Sequence, residues 1–538
     1  MQHMEHHEVL EYLLNINSKK VVRVILLPLL LFSFCFANDA KEIEVQIEAN
    51  GINKTSIKFS KDEYIVGSYS FSSDVESLNL LDEKRNLIRR LDKDNKKNGN
   101  FYFLADATQN YFFEIKNLNE SNKVKIKIEK VVTTKGNSSA ENEDFLSKKI
   151  EEVYKELKNK GNTDRFWENV KKEGTPLVEE YDKESYVLTF LYRDAKKDVK
   201  ILGAPVSEHV KLKRLLESDI WYKSFIVPKG TRLSYQLAPD TPIFEGTRWE
   251  KRVSILATAQ KDNYNKYPLI YGNYKDKYNI SSSIVLPNGK LKDWSLEKAK
   301  ENFDKKEITF KSEYLKNSRD ITILRAKELK KEKEYPLLFI FDSVDYQSKI
   351  DTQTILNNLI SKDVIPEVIA VFIANPTPKS RATELPCNED FANFMAKELY
   401  PYIKKEFKKE FKASNNILIG SSYGGLASSY IAFKYPNIFG KVLSMSGSYW
   451  WKPDEDKEYR WLSKEFIKSE KVPVEFFLSA GIFEGGDSEI EILNSNRYFR
   501  DILRAKDYKV FYEEIAGGHD YFSWRVILPY GLKILLNK

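Results

Sequence analysis

Seven apolar runs of strand length punctuate residues 305–538: "DITILRAKEL", "YPLLFIFDS", "EVIAVFIAN", "NNILIGSS", "KVLSMSG", "VEFFLSAG" and "KVFYEEIAGG". They are continuous in Ile, Val, Leu and Phe and do not alternate with polar residues, so both faces of each strand are buried. Between most of them lie segments with helical spacing, such as "DFANFMAKELYPYIKKEFKK" and "SNRYFRDILRAKDY". Apolar strands alternating with helices predict an α/β unit, a mostly parallel sheet covered on both faces. Such sheets bind ligands beyond the carboxyl ends of their strands, which is where chemistry is to be sought.

One of those ends carries it. In "NNILIGSSYGGLASSY" the strand residues Ile417, Leu418 and Ile419 run into Gly420-Ser421-Ser422-Tyr423-Gly424, a G-x-S-x-G pattern, and then into a small-residue helix start. A serine on this strand–turn–helix elbow has its hydroxyl lifted above the sheet, and the flanking glycines avoid clashes with the adjoining strand and helix. Only Ser422 is in register, because Ser421 would need a glycine where Ile419 stands. A serine hydroxyl is a weak nucleophile until a base removes its proton. Of the five histidines, three precede residue 10, leaving His209 and His519. His209, in "SEHVKLKR" among charges, reads as a solvated residue. His519, in "IAGGHDYFSW", follows the last strand on a Gly517-Gly518 loop, where an α/β-hydrolase places its catalytic histidine.

The chain order serine, acid, histidine puts the acid after "VEFFLSAG", in "IFEGGDSE". Glu484 follows that strand directly and is the first choice; Asp487 is the second. Asp520 adjoins the histidine, but neighbouring side chains diverge. The oxyanion needs two preorganised donors. One is the backbone N–H of Tyr423, and the other is expected on the loop after "PLLFIFD", at Ser343.

The rest of the chain of 538 residues is too long for one core. Residues 38–135 contain short period-two runs, among them "KEIEVQIEA", "GNFYFLA" and "NKVKIKIEKVV", which predict an all-β accessory module of sandwich type. Polar "TTKGNSSAENED" reads as a linker. Residues 145–295 open with the amphipathic "DFLSKKIEEVYKELKNKG" and continue through "SYVLTFLYR", "WYKSFIVP" and "TRLSYQLA", a second β-rich domain with few candidates for chemistry. Residues 1–37 are an N-terminal extension followed by "KKVVRVILLPLLLFSFCFA", whose basic, apolar and small-residue regions have the layout of a signal peptide cleaved after Ala37. The apolar stretch is shorter than the roughly 20 residues of a membrane-spanning helix, so no stable span is expected. Lipoprotein cleavage before Cys35 is disfavoured by bulky Phe34. Export makes the expected location the periplasm. After cleavage Cys387 is the single cysteine, so stability comes from packing rather than disulfides. The formal charge of +7 is spread without a basic run, which excludes a nucleic-acid arm, and no metal-ligating cluster or cofactor motif is present.

Four stretches, "RATELPCNEDF", "IGSSYGGLASSY", "VLSMSGSYWW" and "GGHDYFSWR", resemble the enterochelin esterase family, which hydrolyses the trilactone of ferric catecholate siderophores. Upstream, "FWENVKKEGTPLVEE", "VLTFLYR" and "SDIWYKSFIVP" look like that family's N-terminal β-sandwich, so the resemblance spans about residues 145–538. It implies a serine esterase using Ser422 and His519, with Glu484 as the acid and a ferric catecholate siderophore as substrate. It also implies that Arg381, in R-x-x-E-L, holds the substrate carbonyl or its charge, against the alternative of an Arg381–Glu384 ion pair. Trp450 and Trp451 stack on catechol rings or belong to the core. Ser343 departs from the glycine usual after the aspartate of that loop. Two other readings stand beside this one: a feruloyl or acetyl carbohydrate esterase of similar fold, and an inert periplasmic siderophore-binding protein. Neither the protein partners, the preference for ferric over iron-free siderophore, nor the number of esters cut is legible.

Overall fold

The computed structural model describes residues 42–536 apart from 93–96, 134–144, 207–208, 273, 298–300, 328, 331 and 487–489. The expected signal peptide, the linker and Asp487 lie outside the described residues.

The first β-rich unit is two antiparallel four-stranded sheets. One is ordered Glu42–Ile47, Asn122–Thr133, Glu63–Phe71, Asn98–Leu104, and the other Ile52–Phe59, Gln109–Asn117, Val75–Leu81, Leu87–Arg90. Period-two alternation sends Ile65, Phe101, Phe103, Phe113 and Ile115 into the space between the sheets, while the residues between them turn to the outer faces. The second unit also has two antiparallel sheets, one of them built on Ser185–Arg193 and Ile220–Pro228 and the other on Val199–Leu202, Arg232–Pro239 and Ser281–Val285. Helices Lys148–Lys158 and Asp164–Glu173 cover it through Ile150, Val153, Phe166, Trp167 and Val170. The first is capped by Ser147, whose side chain accepts a hydrogen bond from the Ile150 N–H.

The third unit is an eight-stranded sheet. Numbered within this unit, its strands are β1 (Phe303–Ser312), β2 (Asn317–Ala326), β3 (Leu337–Phe341), β4 (Ile369–Ile373), β5 (Asn416–Ser421), β6 (Lys441–Met445), β7 (Glu475–Gly481) and β8 (Val510–Ile515). Their order is β1-β2-β4-β3-β5-β6-β7-β8. All pairings from β4 to β8 are parallel. β1 and β2 pair antiparallel, because the turn from Ser312 to Asn317 is too short for a crossover, and β2 also pairs antiparallel with β4. Along β3, Leu337, Phe339 and Phe341 enter one core and Leu338 and Ile340 the other, as a strand buried on both faces must do. The helices that matter for the site are α1 (Tyr423–Lys434), α2 (Ile492–Ala505) and α3 (Tyr521–Leu536). This is the expected α/β-hydrolase arrangement, preceded by two β-rich units. No described helix is long and apolar enough to cross a membrane.

Candidate active site

Four adjacent parallel strands, β5 to β8, end side by side, with Ser421 opposite Met445, Met445 opposite Ser479, and Gly481 opposite Ile515. Ser422, Ser446, Glu484 and His519 stand just beyond those ends. Their convergence is therefore a property of strand register.

At the elbow, Ser422 has φ 56° and ψ −123°, a backbone region costly for a non-glycine residue. It is held there by bonds on both sides: its N–H donates to Met445 O at 3.0 Å, and its carbonyl accepts from Leu426 N–H at 3.1 Å. The tightness of the turn is visible at Gly420, where a Cβ would lie 2.4 Å from the Gly424 carbonyl carbon. Gly425 is equally constrained, its Cβ falling 2.4 Å from Ser444 Oγ. Gly424 is not, since its nearest neighbour would be Phe341 Cβ at 3.5 Å, an ordinary contact. The steric need in G-x-S-x-G-G thus falls on the first and last glycines, a correction to the reading of the motif.

The Glu484 carboxylate is 4% exposed. Its Oε2 accepts from Ser446 Oγ at 2.7 Å and from the Gly481 N–H, and its Oε1 bonds His519 Nδ1. Trp524 Nε1 donates to Ser446 Oγ at 3.0 Å, and the Trp524 indole stands edge-on to the imidazole with centroids 5.0 Å apart. Gly481 permits the crossing of these two loops, because a Cβ there would meet Gly517 O at 2.3 Å. The Nδ1–carboxylate bond leaves Nε2 of His519 directed to other chemistry. The Ser422 hydroxyl faces Ser448 Oγ at 3.3 Å and makes no hydrogen bond to His519 among the described residues, although both line one cleft.

That cleft has a volume of about 600 Å³. Tyr423 and Trp450 line it, with ring centroids 6.2 Å apart. Trp451 does not; it packs on the core and meets Trp461 edge-on. Arg381 lines the cleft, and its partner is Asp342, not Glu384: Nε and Nη2 donate to the two carboxylate oxygens at 2.7 and 2.8 Å. Burial works against its charge, but the Asp342 carboxylate outweighs it and the pKa is raised. Glu384 is taken by Arg319 at 2.7 Å and by Asn317. Ser343 is buried in the first turn of Ser343–Ser348, accepts a bond from Gln347, and is absent from the cleft lining. Asp520 turns away from the neighbouring histidine, to Ser234 and to the Ser523 N–H that starts α3. Among the described residues no group of three or more His, Cys, Asp or Glu side chains is placed to hold a metal ion.

Against known proteins, the Enterochelin esterase N-terminal family matches residues 187–294 and the Esterase family matches residues 312–534. The iron(III) enterobactin esterase of Escherichia coli O6:H1 (strain CFT073) is 28% identical over 383 residues, which cover 66% of this chain and 93% of that protein. The iron(III) salmochelin esterase of the same strain is 23% identical, over 69% of this chain and 93% of that one. A crystal structure of the enterobactin esterase from Shigella flexneri in the presence of enterobactin superposes with a TM-score of 0.56 at 27% identity, over 69% of this chain and 97% of that chain. The chain belongs to the enterochelin esterase family.

In this enterochelin esterase the wall opposite the serine comes from the second β-rich unit. Leu202, His209, Ser234, Tyr235, Gln236 and Arg252 line the cleft, none of them singled out from sequence as a site residue. His209 is half-buried there rather than a solvated surface residue. No local motif marks these positions, and the signal that would find them is contact with the elbow, which exists only in three dimensions. The same unit holds the His519 loop at both ends. Arg232 donates from its backbone N–H to Ala516 O at 2.8 Å and from Nε to Phe522 O at 2.8 Å, while Nη2 pairs with Asp293 at 2.6 Å. Burial pulls the Arg232 pKa down against the Asp293 carboxylate, and Arg525 on the other side of that carboxylate adds to the lowering. Ser234 Oγ donates to Asp520 at 2.6 Å.

Two results are expected. Gly420→Ala costs about 3 kcal/mol of folding stability by chemical denaturation, since the backbone of the elbow must shift, whereas Gly424→Ala is neutral or stabilising by up to about 1 kcal/mol. Arg232→Ala leaves Asp293 with Arg525 as its one cationic partner among the described residues and frees the His519 loop; it costs about 3 kcal/mol and lowers kcat on any ester tested, measured by denaturation and initial rates.

Proposed function

We propose that this esterase hydrolyses the trilactone ester bonds of a ferric catecholate siderophore of the enterobactin type, with Ser422 as nucleophile, His519 as base and Glu484 as the residue that orients it. The observation that carries the reading is the buried Glu484 carboxylate bonded to His519 beside the Ser422 elbow in one cleft. His519 Nε2 takes the proton from Ser422 Oγ as the oxygen attacks the ester carbonyl carbon. The tetrahedral oxyanion is met by the Tyr423 N–H and by Arg381, whose Nη1 makes no hydrogen bond to a described residue. Collapse breaks the C–O bond, the departing alkoxide takes its proton from His519, and a water molecule activated by the same imidazole releases the acyl group from Ser422. This route suits an ester, because the alkoxide is a better leaving group than an amine. It needs the Ser422 side chain to turn from Ser448 toward the imidazole.

The lining agrees with the substrate class. Arg381, Arg252 and His209 bring positive or protonatable groups to a ligand whose three catecholates carry negative charge, and Trp450 and Tyr423 offer faces to flat rings. The names of the relatives, which act on iron(III) enterobactin and iron(III) salmochelin, support the same class. The signal-peptide layout of the first 37 residues supports a periplasmic site of action, with the macrocycle opened into linear fragments of weaker iron affinity before transport across the inner membrane.

The test is mass spectrometry of products from ferric enterobactin. Wild type yields linear fragments, and Ser422→Ala and His519→Ala lower kcat at least about 10³-fold, as loss of a nucleophile or its base does. Glu484→Gln lowers it about 10- to 10⁴-fold with little change in KM. An intact macrocycle with wild type, together with cleavage of feruloyl or acetyl sugars, supports the carbohydrate esterase instead; binding without turnover, unchanged by Ser422→Ala, supports an inert binding protein. Fractionation of cells expressing the full chain tests the periplasmic location, which is abandoned if the protein stays in the cytoplasm.

A further inference from the structure

The family matches begin at residue 187, and the first β-rich unit, residues 42–133, contributes nothing to the lining of the cleft. Its position in the fold is nevertheless specific. It meets the second unit over residues 244–279. Arg89 Nη1 donates to the carbonyls of Leu256 at 3.1 Å and Ala257 at 3.4 Å, while also holding Tyr102 O of the other sheet of its own unit at 2.8 Å. The Arg90 N–H donates to Asp276 at 3.0 Å, and Asn279 Nδ2 returns a bond to the Arg90 carbonyl at 2.7 Å. Tyr64 stacks on Phe244 with centroids 5.4 Å apart, and both rings are buried with Ala257 in a small apolar cluster. Lys130 pairs with Glu250 at 2.5 Å.

The contacts at Glu250, Leu256 and Ala257 fall on one continuous helical stretch, Arg248–Val253 followed by Ser254–Ala257. Glu250 also closes the capping box with Thr247 that starts it. On its other side, Ile255 and the following Ala259 pack against Ala238 and Leu202, and Leu202 lines the cleft. Arg252, from the same stretch, is exposed and lines the cleft too. The stretch therefore lies between the accessory sandwich and the substrate space. A six-residue helix with a four-residue 3₁₀ extension is too short to hold its own geometry in water, so its position depends on what packs on it.

We propose that the accessory sandwich is a brace: through Arg89, Lys130 and Tyr64 it fixes helical residues 248–257, so that Arg252 is held at the cleft for a large, multiply anionic ligand. The proposal rests on the siderophore reading for the identity of that ligand. The chemistry at Ser422 and His519 does not depend on the brace, because no residue of 42–133 touches either loop in the contacts described above. Arg89 is a positioning residue that acts through Arg252. A small neutral ester, which has no need of a distant cation, is predicted to be indifferent to it.

The experiment uses the full chain, with ferric enterobactin as the anionic probe and p-nitrophenyl butyrate as the neutral one. Binding of ferric enterobactin is read by tryptophan quenching in a Ser422→Ala background, which separates binding from turnover. Arg89→Ala is expected to weaken that binding about 5- to 20-fold, the range of a lost or misplaced charged contact, while kcat on the small ester in the Ser422 enzyme stays within about two-fold of wild type. Arg252→Ala weakens binding to a similar degree, and Arg89→Ala with Arg252→Ala together weaken it no further than Arg252→Ala alone. Lys130→Glu, which sets a like charge against Glu250, weakens binding of ferric enterobactin as well, with the small-ester kcat again within about two-fold. Unchanged binding in Arg89→Ala alongside a lowered melting temperature overturns the brace and leaves a merely structural contact; additive losses, or equal losses on both probes, overturn it as well. Wild type that binds the ferric complex but leaves it uncut overturns the proposed function and not the brace. No binding to Ser422→Ala at all overturns both.

Discussion

Glu484 is a carboxylate almost wholly removed from water, and an ionised group in that position is tolerated only if donors surround it. Ser446, the Gly481 N–H and the His519 imidazole supply them. Each comes from the end of a different element, so satisfying one buried charge ties together the carboxyl ends of β6, β7 and β8. The same bond that satisfies the carboxylate sets the imidazole's orientation, because engaging Nδ1 directs Nε2 toward the cleft. Stability and chemistry here draw on the same hydrogen bonds, with Trp524 closing the arrangement behind Ser446.

The strained elbow is the counterpart on β5. A serine at φ 56° stays there because the register of β5 against β6 places Met445 O to receive its N–H and because two glycines let strand and helix approach within van der Waals limits. Across the cleft, the second β-rich unit holds the other half of the machinery. Arg232 and Ser234 lie some 290 residues before the histidine loop yet bond three residues of it. A domain whose sequence shows little catalytic chemistry is thus part of what holds the geometry of the candidate site.

Much of the fold was legible because burial writes itself into composition. The apolar runs of β3, β4, β5, β6 and β7 read as strands without ambiguity, and the period-two runs of residues 42–133 read as a two-sheet module. β1 escaped notice because "FDKKEITFKS" is an edge strand whose exposed lysines and glutamate make it look like a polar linker. The antiparallel start of the sheet was hidden in the length of one turn. At the site, register picked Ser422 over Ser421, and the scarcity of histidine picked His519. The two tryptophans after β6 separated only in the fold, Trp450 lining the cleft and Trp451 turning to the core. Arg381 and Glu384, four-residue-motif neighbours that suggested each other as partners, each found a partner on a distant strand instead. Asp342 closes β3 and Arg319 belongs to β2, and local spacing carries no information about either.

Alone, the sequence determined the α/β architecture, the elbow with its nucleophile candidate, and the histidine and glutamate beyond β8 and β7. These follow from local signals: hydrophobic period, a glycine pattern, chain order and the rarity of one residue type. The tertiary structure decided which carboxylate the arginine of the cleft is held by, which tryptophan lines the cleft, and that a wall of the cleft belongs to the preceding domain. Those outcomes depend on pairings between residues tens to hundreds of positions apart, whose energies arise only when burial removes water from both partners at once.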